Sequence, residues 1–363
     1  MSNILYISPL IGNDGWGSAS REYLRALMTT GHNIKIKNFY TTLASEPRPE
    51  FKDLYTTKID KFDYVIQKAM PNQFCYDREF GKNIGLFPVE NWGWNNNWIQ
   101  PIKMMDENWT TSEYSKKCIL KTIPDLKTPV KALPIPCDIS KFSKEYPKVP
   151  KNVIEGRFMF YFVGEDITRK NIDLVVKAFH LTFDRNENVG LLIKTNRVGY
   201  GSEFTLNGLS NRIEKIKNDL CLHSGKDKYT NEVIIVDRLS EDELNGLHQS
   251  CNCFIMPSSG EGWVIPAMDA AGFGNWVIMT ETGCSDYAAD ILIESDIENV
   301  CSSYHPCKDL MTGHEKWLVP KLNSLMSSMR LVYNKHLSRE KPRFKDVNLV
   351  SYETIGERIC QML

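Results

Sequence analysis

The sequence predicts an α/β protein of two domains, each a parallel sheet with helices on both faces. Three observations predict it. The chain has 363 residues, more than one hydrophobic core usually serves. Short apolar runs alternate with amphipathic stretches, the pattern of strands joined by crossover helices. The alternation breaks in a lysine- and proline-rich stretch from Phe142 to Glu155 and then restarts, which reads as a linker. The expected domains are residues 1–150 and 151–345, followed by a C-terminal helix over 346–363 that packs back on the first.

Ile4 to Ser8 is the first apolar run and reads as a strand. A glycine-rich turn, Gly12 to Gly17, follows it. A helix is expected from about Ser18, with Tyr23, Leu24, Leu27 and Met28 on one face and Gly31 as its stop. Ile34 to Lys37 alternates as a strand, and Asp63 to Gln67, Asn83 to Phe87, Glu107 to Thr110 and Val130 to Ile135 continue the series. Beyond the linker, Phe158 to Val163 is continuously apolar, as a strand covered on both faces should be. Asn171 to Phe183 reads as a helix burying Leu174, Val175, Ala178 and Phe179. Leu191 to Lys194 and Val233 to Val236 are further strands. Ser240 and Glu243 form a capping box for the helix that carries Leu244 and Leu247. Cys253 to Met256 and Trp276 to Met279 are two more strands, with a short helix between them. From Trp317 to the end the chain is helical in character.

Composition narrows the class. Apolar residues make up 42% and charged residues 25%, as in an ordinary globular protein. No run reaches the length of a membrane-spanning helix. The start, MSNILYISPLIG, reads as a strand and not as a secretory signal. Ten scattered cysteines without a CxxC pair fit free thiols in a reducing cytoplasm. Cys301, His305 and Cys307 are the nearest approach to a metal set, and their spacing is not that of a structural zinc site, so no metal is expected. Forty-four basic against 45 acidic residues give a net charge of −1, which provides no global attraction to nucleic acid. Local basic runs do occur, from Lys116 to Lys131 and from Arg330 to Lys345. Such runs are usually solvated faces.

The stretch Ser258 to Gly274 carries the most chemistry. It follows a predicted strand and reads SSGEGWVIPAMDAAGFG. Pro266 suits the first turn of a helix. Glu261 then lies in the loop before that helix. Asp269, three residues beyond Pro266, leans back toward the helix start. Two acids there can accept hydrogen bonds from hydroxyls, and free backbone N–H groups at a helix N-terminus favour a phosphate. The alternative is an acid that serves the helix dipole and a solvated Asp269. Spacing leaves both open.

Here the sequence resembles a known family. EGWVIPAMDAAGFGNWVI is similar to the Glu-x7-Glu donor motif of the family-four retaining glycosyltransferases, which have the GT-B fold of two Rossmann-like domains facing a cleft. FYFVGEDITRKNIDLVVKAF resembles that family's strand, diphosphate loop and helix. VIIVDRLSEDELNGLHQSCNCFIMPSSGEG resembles its base-binding region, and DENWTTSEYSK a segment of its first domain. The resemblance implies that Glu261 faces the donor sugar and that Asp269, where the family usually has glutamate, holds the ribose. Lys170 would neutralise the diphosphate. The family's arginine after the strand glycine is Glu165 here, so Arg169 is the expected second cation. The donor contacts implied are Gly15, Gly17, Asp237, Arg238, Leu239, Ser259, Gly260, Gly262, Trp263, Val264 and Asp269, and Lys194, at the end of a predicted strand, joins them by position alone. No cofactor or metal is required. The co-substrate is a nucleotide sugar, with UDP-sugar favoured.

Asp14, Trp16, Glu90, Trp92 and Trp94 are the acceptor-side candidates. Exposed indoles can stack on sugars or bases, and buried ones simply fill a core. The implied reaction is retaining transfer to an acceptor hydroxyl on a glycan, a small molecule or a modified base in DNA. The rival class is a GT-B-like protein that binds a nucleotide or glycan without transferring it.

Overall fold

The computed structural model describes residues 1–12, 14–39, 48–56, 61–94, 96–154, 156–222, 229–300 and 312–363. In chain order the strands and helices are β1 Asn3–Ser8, α1 Gly15–Met28, β2 Asn33–Asn38, β3 Tyr64–Lys68, β4 Lys82–Leu86, α2 Asn96–Met104, β5 Glu107–Thr110, α3 Glu113–Thr122 and β6 Val130–Ala132. There follow α4 Lys151–Ile154, β7 Phe158–Glu165, α5 Ile172–Thr182, β8 Val189–Asn196, α6 Ser202–Leu220, β9 Val233–Ile235, α7 Glu241–Ser250, β10 Cys253–Met256, α8 Ile265–Gly272, β11 Trp276–Thr280, α9 Ser285–Ala288 and β12 Ile291–Ile293. The chain ends with β13 Ser295–Asn299, β14 Lys316–Pro320, α10 Leu322–Leu337 and α11 Tyr352–Met362.

Two compact units result. Unit 1 comprises Met1–Ile139, Val300–Glu315 and Val347–Leu363; unit 2 comprises Ser140–Asn299 and Lys316–Asp346. Each holds a six-stranded parallel sheet, of order β2-β1-β3-β4-β5-β6 in unit 1 and β12-β11-β10-β7-β8-β9 in unit 2.

In unit 1, Tyr6, Tyr23, Phe87 and Trp109 are fully buried around the sheet. Helix α1 begins at Gly15 because the Asp14 carboxylate accepts the Gly17 N–H at 2.8 Å. Gly17 has no alternative residue: a Cβ there would lie 2.1 Å from the Gly12 carbonyl oxygen. The terminal helix α11 packs on α1. It is tied there by Tyr352 donating to Glu22, while Lys131 and Tyr64 donate to the last carbonyls, at Met362 and Leu363.

In unit 2, the first six residues of β7 and the first seven of β8 are buried, which explains the unbroken apolar run of β7. Phe160, Phe179 and Phe183 pack ring against ring between β7 and α5. The capping box on α7 forms as expected, with Glu243 and Ser240 exchanging hydrogen bonds.

One helix was not expected, and one expectation fails. Helix α6, 19 residues long, was not legible. Its buried stripe is only Thr205, Leu209, Ile213 and Ile216, and exposed Phe204 and Leu206 blur the period. The segment from Trp317 is also not helical at its start. Residues Lys316–Pro320 are a strand paired antiparallel with Ser295–Asn299. That partner lies far away in sequence, so the local pattern could not announce it. The helix after it, α10, packs on α5 in unit 2.

Candidate active site

In an open parallel sheet, a crevice forms where neighbouring strands send their connections to opposite sides. In unit 2 that point lies between β7, which continues to β8, and β10, which continues to β11. The loop Asp166–Asn171 leaves β7 and the loop Pro257–Val264 leaves β10. These are the two loops that carry the sequence signals.

A set of hydrogen bonds holds them together. Asn171 takes the left-handed conformation, φ +55°, which asparagine tolerates better than most residues. Its side-chain amide donates to the Pro257 carbonyl at 2.8 Å and to the Ser259 hydroxyl at 3.0 Å. The Ser259 N–H returns a bond to the Arg169 carbonyl at 2.8 Å. Strand β14 contributes the Leu318 N–H, which donates to the Ser259 carbonyl at 3.0 Å. Gly283, at φ +54°, lies so close that a Cβ would stand 3.3 Å from that of Glu261, so the turn after β11 backs the same loop.

Within this frame, Arg169 Nη1 donates to the Gly260 carbonyl at 2.7 Å and lies 2.7 Å from Glu261 Oε1. Lys170 Nζ is 3.1 Å from the same carboxylate oxygen. Glu261 is 5% exposed. Burial pushes its carboxyl pKa up, but the Arg169 and Lys170 charges outweigh that and hold it below its ordinary value. Two cations thus share one carboxylate, leaving an excess of positive charge in a low-dielectric site. Such a cluster suits a polyanionic group. Ser259, Gly260, Gly262, Trp263 and Val264 form the buried loop around it. Trp263 is 9% exposed, and its indole N–H has no acceptor among the described residues.

Other predicted residues make contacts of their own. Asp269 does not face solvent: it is 4% exposed, and its Oδ1 accepts Lys141 Nζ at 2.6 Å. Glu165 accepts the Val198 N–H at 3.2 Å and so holds the turn after β8. Lys194 is buried at the end of β8, where burial lowers its pKa against the pull of Asp237. Asp237 and Arg238 are exposed beyond β9, and Leu239 is half-buried. Lys141, Asn171, Gly283 and Leu318 were not found by sequence reasoning. Only Asn171, directly after the Arg-Lys pair, offered a local signal.

In unit 1, Asp14, Gly15, Trp16 and Gly17 stand at the corresponding reversal, between β1 and β3. Trp92 and Trp94 are buried, so the core-filling alternative holds for both. Trp94 Nε1 donates to the Asn91 carbonyl and side chain, and Lys121 covers the Trp92 ring at 3.9 Å. The Glu90 carbonyl accepts the Tyr114 hydroxyl at 3.1 Å. The basic runs are largely compensated locally. Lys116 pairs with Glu113, Lys131 with Glu107, Arg330 with Glu187, Lys335 with Glu340 and Lys345 with Asp290. Among the described residues no group of His, Cys, Asp and Glu could hold a metal ion; Cys301, His305 and Cys307 lie outside them. Also among the described residues, no helix is long and apolar enough to cross a membrane.

Known proteins share this fold. Residues 145–290 match the family model of glycosyl transferases group 1. The chain is similar in fold to an α,α-trehalose-phosphate synthase from Burkholderia xenovorans in complex with glucose-6-phosphate, with TM-score 0.69 and 10% identity over 100% of this chain and 99% of that one. It is similar to Anabaena HepE in complex with UDP-glucose, with TM-score 0.64 and 9% identity over 100% and 99%. A Rickettsia africae glycosyltransferase has TM-score 0.62 and 12% identity over 99% and 97%. A comparison with curated protein sequences gave no match. The two parallel-sheet units have GT-B architecture.

Proposed function

We propose that this GT-B glycosyltransferase moves a sugar from a UDP-sugar donor to an acceptor hydroxyl with retention of configuration. The observation that carries the reading is the Arg169–Glu261–Lys170 cluster at the strand-order reversal of unit 2, inside the segment that matches the family model. The UDP-glucose complex of the similar Anabaena protein supports the choice of donor.

The residues divide the work by charge. Arg169 and Lys170 stabilise the diphosphate as it departs, an electrostatic contribution aimed at charge that grows in the transition state. A diphosphate competes with Glu261 for these cations. The carboxylate so released accepts hydrogen bonds from sugar hydroxyls. No metal or cofactor is needed for this division of roles. The test is incubation with UDP-sugars and an acceptor panel, followed by NMR of the product. Release of UDP with an α-linked product from an α-linked donor is expected. A β-linked product overturns retention, and no response to any nucleotide sugar overturns the donor.

Trp263 provides a second test. A buried N–H without an acceptor costs about 1–3 kcal/mol. Trp263→Phe keeps most of the ring bulk and removes that donor, so Tm should hold or rise. If a donor oxygen is the missing acceptor, kcat/KM should fall about tenfold in the same variant, on the scale of one lost hydrogen bond. Unchanged kinetics would assign the N–H no role in donor binding.

A further inference from the structure

The reversal between β1 and β3 in unit 1 opens a cavity of about 450 Å³, lined by Pro9, Ile11, Gly12, Asp14, Trp16, Asn38, Phe39, Lys68, Ala69 and Met70. That volume is within the range of small-molecule sites. Lys68 is its unusual member. It ends β3, is 1% exposed, and donates to the Trp16 carbonyl and the Ser20 hydroxyl, both at 3.1 Å. Its ammonium also lies 4.5 Å from the centre of the Trp16 ring. All these partners are neutral. The contrast within the chain is Lys345, another buried lysine, which has Asp290 at 2.7 Å. Among the described residues Lys68 has no carboxylate at ion-pair distance.

A buried charge is normally paired. The groups around Lys68 do not pair it. Asp14, on the loop before α1, is an exposed acid that acts on it only through space. Tyr6 of β1 turns its hydroxyl to the Ser20 carbonyl, and Arg21 of α1 turns its guanidinium to the Leu10 and Gly12 carbonyls. On β4 the residue paired with Lys68 is Leu86. Among the described residues two of the three ammonium donors are used, and the third is unspent.

We propose that this cavity binds an oxyanion, a phosphate or carboxylate carried by the acceptor, with Lys68 as its charge partner. Identifying the ligand as the acceptor rests on the transferase reading; the oxyanion site itself does not. Trp16, half-buried on the cavity wall, then flanks the ligand. Burial also holds the Lys68 pKa down at about 7. Only the protonated form attracts the anion, so apparent affinity follows the protonated fraction.

The test is titration calorimetry on the full chain at about pH 6 and about pH 8.5, where the protonated fraction differs most usefully. The probes are inorganic phosphate, glucose 6-phosphate, glucuronate and glucose. At the lower pH at least one anion should bind more tightly than glucose by about tenfold or more, and it should weaken about tenfold at the higher pH. The comparison of glucose 6-phosphate with glucuronate separates phosphate from carboxylate. Lys68→Met should abolish the preference over glucose. Lys68→Arg, which cannot deprotonate in this range, should keep the preference and lose the pH dependence for glucuronate, whose carboxylate stays ionised throughout. Anion binding unaltered in Lys68→Met overturns the proposal. So do anions that bind no better than glucose, or pH dependence of glucuronate binding, whose own charge is constant over this interval, that persists in Lys68→Arg. Thermal shift of the parent with UDP-glucose reads the donor site separately. Lys68-dependent anion binding in a protein that ignores every UDP-sugar would support this site and overturn the transferase reading.

Discussion

Replacing Lys170 or Arg169 by alanine should lower kcat by about a hundred- to thousandfold each, the cost of removing one preorganised group that stabilises transition-state charge. The two cations meet on one oxygen of Glu261, so each lost charge acts at short range in a site screened from water. Glu261→Gln is the sharper variant because its two readouts move in opposite directions. Transfer should fall, since the amide is a poorer acceptor for sugar hydroxyls. UDP should bind more tightly, since its diphosphate no longer competes with a carboxylate for Arg169 and Lys170. The apo protein should lose stability, about 3–5 kcal/mol for a buried pair broken on one side, and UDP should restore more of it than in the parent. A Glu261→Gln protein whose UDP affinity falls together with its activity would place Glu261 in a purely structural role.

Acid should destabilise unit 2 before any carboxylate pair breaks. His248 is fully buried, stacked on Phe273, with Nδ1 2.7 Å from the Tyr161 hydroxyl. The Asn275 amide donates to that same phenol oxygen at 2.9 Å. The phenol proton therefore faces Nδ1, and the ring proton sits on Nε2, which has no partner among the described residues. Burial pushes the His248 pKa down to about 4; Asp269 resists the shift and Lys141 adds to it.

The sign follows from linkage. The folded state holds His248 neutral while the unfolded state takes up a proton at about 6.5. Stability is fully present above about pH 6.5 and is lost as pH falls toward 4, in total about 3 kcal/mol. The carboxylates of Glu107, Glu232 and Glu261 are opposed by burial but held low by their cationic partners. Their contribution is present above about pH 4.5 and is lost only below it. The two windows are therefore distinct. Denaturant melts at about pH 7.5, 5.5 and 4.5 should show the first loss in the parent and a flatter profile in His248→Phe. A parent equally stable across that interval would sink the assignment.

Much of the fold was legible because it is local. A strand covered on both faces must be apolar throughout, and Phe158–Val163 shows it. The helix after the Pro257–Val264 loop announces itself through Pro266, and α7 through its capping box. Helix α6 and strand β14 were not legible. The first has a thin and interrupted stripe, and the second is defined by a partner some twenty residues away.

The site divides along the same line. Sequence alone determined that Glu261, Arg169 and Lys170 stand in turns after strands, because turn chemistry and strand pattern are short-range. Tertiary structure decided which of them meet. Strands β7 and β10 are far apart in the chain but neighbours in the sheet, and this brings both cations onto one carboxylate. It also paired Asp269 with Lys141, 128 residues away, and buried Trp92 and Trp94. The stretch Ser258 to Gly274 named its own acids. Which charges those acids face depends on the order of strands, and no local pattern encodes that order.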